Sequence, residues 1–312
     1  MLKSKGHIHQ KFLRLMGNSF ALTVVEENAE LAEAHIDAAV DEIRRIEALL
    51  TTFSESSQTN QVNQQAGISP VQVDREVFSL VQRAIRISEL TQGSFDISYG
   101  SIDKSLWNFD LSMKALPDKE VAKASVRLIN YKNILLNADD CSIFLKEKGM
   151  RIGFGGIGKG YAAEMAKSLL IKRGVKAGVV NASGDLTTWG KQPDGTEWTV
   201  GIADPTIRDR SFSSLCISNM AIATSGNYEK YVVIDGKKYS HTIDPKTGFP
   251  VTGIKSATII CPNAELADAM ATPIMVMGVR VGLDLVNQLP NMACIIVDDA
   301  NRVHTTRNIT IR

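Results

Sequence analysis

The stretch Met150-Arg-Ile-Gly-Phe-Gly-Gly-Ile-Gly-Lys-Gly-Tyr-Ala-Ala-Glu164 decides how this chain is read. A short apolar run gives way to glycines at 153, 155, 156, 158 and 160. A helical pattern follows at once, with Tyr161, Ala162, Met165, Ala166, Leu169 and Leu170 at the spacing of one helical face. Glycines let a backbone turn sharply and present N–H groups with no side chain in the way. The helix N-terminus behind them adds unpaired donors and a favourable dipole. Together these make a cradle for phosphate. The alternative is that the glycines only permit close packing of strand on helix.

Gly153-Phe-Gly155-Gly-Ile-Gly158 also fits the dinucleotide fingerprint G-x-G-x-x-G. That motif wants an acidic residue about 20 positions on, at the end of the next strand, to hold a ribose. Here the next strand, expected over 176–180, runs into Asn181-Ala-Ser-Gly-Asp185, so the acid comes late and in its own glycine turn. Lys159 is followed by Gly160 where a Walker-A loop has Ser or Thr. The cradle therefore reads as a diphosphate or nucleotide site, and an NAD-binding oxidoreductase ranks last among its uses.

Working outward, 312 residues with 44% hydrophobic and 22% charged content describe an ordinary globular chain with a substantial core. A net charge of +1 gives no basic face for nucleic acid. No apolar run approaches the roughly 20 residues of a membrane span. The start, Met1-Leu-Lys-Ser-Lys-Gly-His-Ile-His-Gln-Lys, lacks the apolar core of a signal peptide. The expected compartment is the cytoplasm, or an exported or membrane-anchored location if a leader has been removed. Cys141, Cys216, Cys261 and Cys294 are far apart in apolar runs and read as buried thiols.

Residues 1–13 read as a flexible extension ahead of one domain. A strand is expected over 20–25, then a helix to Leu50 capped by Asn28, with Leu31, Ala34, Ile36, Ala39, Val40, Ile43, Ile46 and Leu50 on one side. A polar loop containing Asn60 and Asn63 follows Thr51-Thr52-Phe53. A second helix is expected over 74–90, ending at the C-cap signal Thr91-Gln92-Gly93. Aromatic corners come at 94–98 and 106–109, a helix at 118–127, and alternating segments at 133–136 and 142–146. Beyond the cradle, strands are expected at 198–203, 214–218, 231–234 and 256–261, with Asp235-Gly236 as a hairpin turn. Helices at 264–277 and 279–288, a strand at 293–297 and a short closing strand complete an α+β chain.

Two further places carry chemistry. Asp268 and Thr272 stand four apart on a largely apolar helix, so a carboxylate and a hydroxyl share one face. An acid there is costly to bury unless paired or bound to a cation, and oxygen donors without His or Cys favour Mg²⁺ over Zn²⁺. The alternative is that Asp268 accepts N–H groups from a neighbouring loop while Thr272 back-bonds its own helix. His241, in Tyr239-Ser-His-Thr-Ile-Asp-Pro-Lys-Thr-Gly248, is the only imidazole between His35 and His304. It is either the base of the fold or a satisfied turn histidine. Ala223-Thr-Ser-Gly-Asn-Tyr228 reads as a small polar loop.

Met16-Gly17, Thr52-Phe53 with Asn63, Phe95-Asp96, 106–109, Gly155-Gly-Ile-Gly-Lys-Gly-Tyr-Ala, Asn181-Ala-Ser-Gly-Asp185, Ala223-Thr-Ser-Gly-Asn-Tyr, Ser240-His-Thr-Ile-Asp-Pro-Lys-Thr-Gly and Ala267-Asp-Ala-Met-Ala-Thr resemble the ordered motifs of the ApbE flavin transferases. The resemblance runs from about residue 14 to the end of the chain. It implies an ApbE-like, T-fold-related arrangement of mixed helices and antiparallel sheets around a central FAD cleft. The implied reaction is Mg²⁺-dependent: FAD is split at its pyrophosphate, FMN passes to a Thr hydroxyl of a target flavoprotein of electron-transport or reductase type, and AMP leaves.

Carried over by position, Asp268, Thr272 and the carbonyl of Gly156 would bind the metal. Met16, Phe53, Ser94, Phe95, Asp96, Gly153, Lys159 and Ile243 would line the FAD site, and His241 resembles the general base. Two positions depart from the pattern: Gly153 stands where the family often has Asp, and Phe53 where many members have Tyr. A metal-dependent FAD pyrophosphatase and a non-catalytic FAD-binding protein are the rival readings.

Overall fold

The computed structural model describes residues 6–103, 115–203, 211–227, 231–234 and 237–309, with backbone alone at 202–203, 211–213 and 237–238. The corner expected at 106–109, Tyr228 and the Asp235-Gly236 turn lie outside the described residues. In chain order the elements begin β1 (His7–Leu15), β2 (Asn18–Glu26), α1 (Ala29–Leu50), α2 (Gln58–Gln64), β3 (Val71–Gln72) and α3 (Arg75–Leu90). A 3-10 turn at Ile97–Ser101 precedes α4 (Lys119–Ser125), β4 (Ile134–Asn137), β5 (Ser142–Leu145), α5 (Gly158–Lys172), β6 (Gly178–Ala182) and β7 (Asp185–Trp189). Then come β8 (Trp198–Ala203), β9 (Ser211–Ile217), β10 (Ala221–Gly226), β11 (Tyr231–Ile234), β12 (Lys237–Ser240) and β13 (Ile254–Cys261). The described chain closes with α6 (Ala264–Met277), α7 (Val279–Val286), β14 (Ala293–Asp298) and β15 (Val303–Thr305).

An eight-stranded sheet in the order β1-β2-β6-β7-β10-β13-β14-β15 forms the frame, and every pair in it is antiparallel. Alternation along its strands builds two cores. Ala221, Ala223, Ala257, Ile259, Cys294 and Ile296 face the main core, where α1, α5 and α6 pack. Ile222, Ile260, Ala293 and Ile295 face the other way, onto Val200 and Ile217 of the β8–β9 hairpin. The β11–β12 hairpin carries Val232 and Ile234 into a third cluster with Ile102, Val126 and Ile243.

Local signals account for the helices. Asn28 accepts from the Leu31 amide at 2.9 Å to cap α1, and Asn263 caps α6 by the same bond to Leu266. Gln92 and Gly93, with φ of 51° and 79°, end α3 in the left-handed region.

Several expectations are corrected. Residues 7–13, read as the end of a flexible extension, belong to the nine-residue edge strand β1, held in register by β2. The polar segment after Phe53 contains α2, capped by Ser57, whose hydroxyl accepts from Asn60. Ala221–Gly226 is a central strand between β7 and β13, not a loop, so its neighbours supply the ladder that its small polar residues do not advertise. Of the four cysteines, all free, Cys261 and Cys294 are buried, Cys141 is half-buried and Cys216 is exposed.

Candidate active site

The glycine stretch leads into α5 as the spacing predicts. Asn63, projecting from α2, accepts from the Ile152 amide at 2.7 Å and donates to its carbonyl at 3.0 Å. This fixes the backbone just before the glycines. A side chain at Gly155 would meet nothing within 4 Å, and at Gly156 only the Phe95 ring at 3.6 Å. Gly160 is the opposite case: a Cβ there would come 2.6 Å from the Asp268 Cβ and closer still to the Ala264 carbonyl. Thus 155 and 156 edge an open space, while 160 lets α5 lie directly on α6.

α5 has no side-chain cap of its own, its preceding residue being Ile157. Asp268, buried on α6, supplies one: Oδ2 accepts from the Gly160 amide at 2.8 Å, and the Lys159 amide also donates to the carboxylate. The bond to a neighbouring N–H group, one of the two readings of Asp268, is present and sits at the edge of the glycine turn. α6 is capped in return, because Glu164 of α5 accepts from the Ala264 amide at 2.8 Å. The Thr272 hydroxyl meets the Ser225 hydroxyl of β10 at 2.8 Å.

The electrostatics are set by burial. Removal from water, with the Asp185 charge close by, pushes the Asp268 carboxyl up to about 7, while the Lys159 ammonium and two backbone amides oppose the shift. Asp185, at the start of β7 and buried, is raised for the same first reason. It pairs with Lys159 and accepts from the Thr224 amide. Sequence spacing did not single out Asp185 or Ser225 as site residues. Twenty-six positions separate Lys159 from Asp185, and the packing of α5 on β7 closes that gap.

The other expected residues divide. Met16 has φ of 51°, donates its amide to Glu47 at 2.9 Å and would lie 3.7 Å from a side chain at Gly158, so it stands beside the glycine turn. Gly153 donates its amide to Ile97, and a side chain there would have Thr52 3.9 Å away, in space that an Asp would reach. Phe53 is 99% exposed. Ser94, Phe95 and Asp96 are buried. The Asp96 carboxylate is engaged by the Ser98 amide and hydroxyl and the Tyr131 amide, so it holds its own turn. Ile243 likewise buries its side chain in the third cluster. His241 follows β12, in a segment tied down by the Thr242 amide on the Ser240 hydroxyl and the Tyr99 hydroxyl near the Ile243 amide. A cavity of about 530 Å³ lined by Ser94, Asp244, Lys246, Val276 and Arg280 adjoins both segments.

Among the described residues no three His, Cys, Asp or Glu side chains gather as a metal cluster. The donors at hand are oxygens: the Asp268 carboxylate with that of Asp185 close by, the Thr272 and Ser225 hydroxyls, and the carbonyls of the glycine turn. That set fits a hard cation, which would also hold the Asp268 carboxyl ionised.

Sheet order and site together define an α+β protein with an acidic, glycine-edged site at the start of α5. The ApbE family profile matches residues 16–296, and the chain belongs to that family. It is 31% identical over 285 residues to an FAD:protein FMN transferase of Klebsiella pneumoniae, covering 91% of this chain and 87% of that one. A protein of the same name from Treponema pallidum is 29% identical over 298 residues, covering 89% and 82%. The solved ApbE protein of Thermotoga maritima superposes with a TM-score of 0.87 at 28% identity, covering 96% and 97%. The flavinyl transferase ApbE of Pseudomonas stutzeri, at 24% identity and a TM-score of 0.84, shares the fold over 98% and 97%.

Proposed function

We propose that this chain transfers the FMN portion of FAD to a threonine hydroxyl of a target flavoprotein, with AMP as the leaving group and Mg²⁺ as the metal. One observation carries the reading: Asp268 meets the first turn of α5 directly behind an open glycine edge, with the Thr272 hydroxyl one helical turn further on. The similarity to FAD:protein FMN transferases supports it.

Asp268, Thr272 and the Gly156 carbonyl would hold the cation. A bound Mg²⁺ neutralises diphosphate oxygens, the largest contribution in a reaction that is mostly positioning and charge stabilisation. The amides of the glycine edge and the Lys159 ammonium offer donors to the same oxygens. Phe53, Met16 and Gly153 border the space for the flavin. Ser94 to Asp96 and Ile243 would contact FAD through backbone, and the adjoining cavity extends the site on their side. His241 takes the proton as the threonine oxygen bonds to the FMN phosphorus. The bond from that phosphorus to the bridging oxygen breaks, and AMP departs with that oxygen.

The test is incubation with FAD, Mg²⁺ and a candidate acceptor domain, followed by intact-mass measurement of the acceptor and assay of AMP. A gain of one FMN less water, with stoichiometric AMP, is the expected result. AMP with an unchanged acceptor would make this chain a pyrophosphatase. Absence of AMP would make it a binding protein.

A further inference from the structure

α2 is an improbable helix. Gln58-Thr-Asn-Gln-Val-Asn-Gln64 contains one apolar residue, and seven residues are too few to be stable alone. Its polar side chains explain it, because most of them bond to other segments. Ser57, the cap, donates to the Thr51 carbonyl at 2.6 Å. Thr59 donates to the Leu49 carbonyl in the last turn of α1 at 3.1 Å. Asn63 holds Ile152 before the glycines. Asn60 sends its amide nitrogen to the carbonyls of Thr52, at 2.9 Å, and Ser54, at 2.7 Å. Those carbonyls flank Phe53.

Phe53 thus combines two properties that seldom coincide. Its ring is 99% exposed, yet the backbone on either side is bonded, and its own amide donates to the Thr51 hydroxyl at 3.2 Å. An aromatic ring held in water by a fixed backbone is a preorganised stacking face, since the ordering cost falls on the fold and not on the ligand. Asn60 also accepts from Arg151, the residue just ahead of Ile152, at 3.4 Å. One buried amide therefore links the aromatic loop to the segment that leads into the glycine turn.

We propose that Asn60 is the positioning residue for Phe53, setting the ring at a fixed distance from the glycine turn so that the flavin can stack on it. The inference rests on the FAD reading above. Asn60→Asp is the sharp variant, because a carboxylate keeps the size and the acceptor for Arg151 while removing the donor to both carbonyls.

The experiment measures KM for FAD, kcat for AMP release and quenching of flavin fluorescence on binding, in the parent, Asn60→Asp, Phe53→Ala and the double variant. Asn60→Ala and a thermal melt of each protein control for folding. Each single variant is expected to raise KM about tenfold and lose most of the quenching, with kcat within about threefold of the parent. The double variant should be no worse than Phe53→Ala, because Asn60 acts through the ring. Additive losses in the double variant, or an Asn60→Asp protein with parental KM and quenching, would overturn the assignment. A parent that binds no FAD at all would instead refute the reading on which it rests.

Discussion

The Gly160 amide and the Asp268 carboxylate meet at 2.8 Å although 108 positions separate them in sequence. The contact exists because residue 160 has no side chain. Gly160→Ala is therefore expected to force α5 off α6 and cost about 2–3 kcal/mol, visible as a melting temperature lower by roughly 5–10 °C. Gly155→Ala, facing open space, should leave the melting temperature within about 2 °C of the parent. Equal melting temperatures for both variants would show that the helices do not rely on that contact.

The raised Asp268 carboxyl makes a signed prediction for the metal-free protein. Its folded value is about 7 against an ordinary 3.8, so between these pH values the folded state holds more protons than the unfolded one. Stability from this group is therefore fully present below pH 4 and is lost as pH rises towards 7, by roughly 2–4 kcal/mol. Asp268→Asn keeps an acceptor for the Gly160 amide and should remove that slope, as should saturating Mg²⁺ in the parent. Denaturant melts from pH 4 to pH 8 would measure it, and parallel curves for parent and variant would refute it. The same variant should abolish nearly all FAD turnover.

Thr272→Val keeps shape and removes a hydroxyl that the Ser225 hydroxyl meets at 2.8 Å. The Mg²⁺ concentration for half-maximal AMP release should rise about 10–100-fold, with the fold retained. An unchanged Mg²⁺ dependence would take Thr272 out of the metal site.

For His241→Ala, transfer to the acceptor is expected to slow by about 10²–10⁴ while FAD binding by fluorescence titration stays within twofold. A variant that transfers at the parental rate would leave the fold without an imidazole base.

How much of this was legible beforehand depended on where each signal lies. α1 and α6 could be read almost to the residue from the apolar residues that recur along them, and α1 also from its Asn28 cap. That Asp268 and Thr272 lie one turn apart on α6 was legible, because four-residue spacing in a helix puts both on one face. α2, β1 and β10 were not, because tertiary bonds make them. A helix of glutamines and asparagines needs the carbonyls it binds, and Ala-Ile-Ala-Thr-Ser-Gly becomes a strand only between β7 and β13. The Lys159–Asp185 pair was hidden for the same reason. The inward turn of Asp96 and Ile243 was hidden too, since sequence gives a residue's place but not which of its atoms face the ligand.

The reciprocal capping of α5 and α6 has a consequence for biogenesis. During synthesis the first helix leaves the ribosome with its leading amides facing water, and they wait for a carboxylate not yet translated. A chain arrested or clipped ahead of Asn263 would own the glycine edge but neither the carboxylate nor the alcohol that complete it. Such fragments should be inert towards flavin, which confines the chemistry to finished molecules.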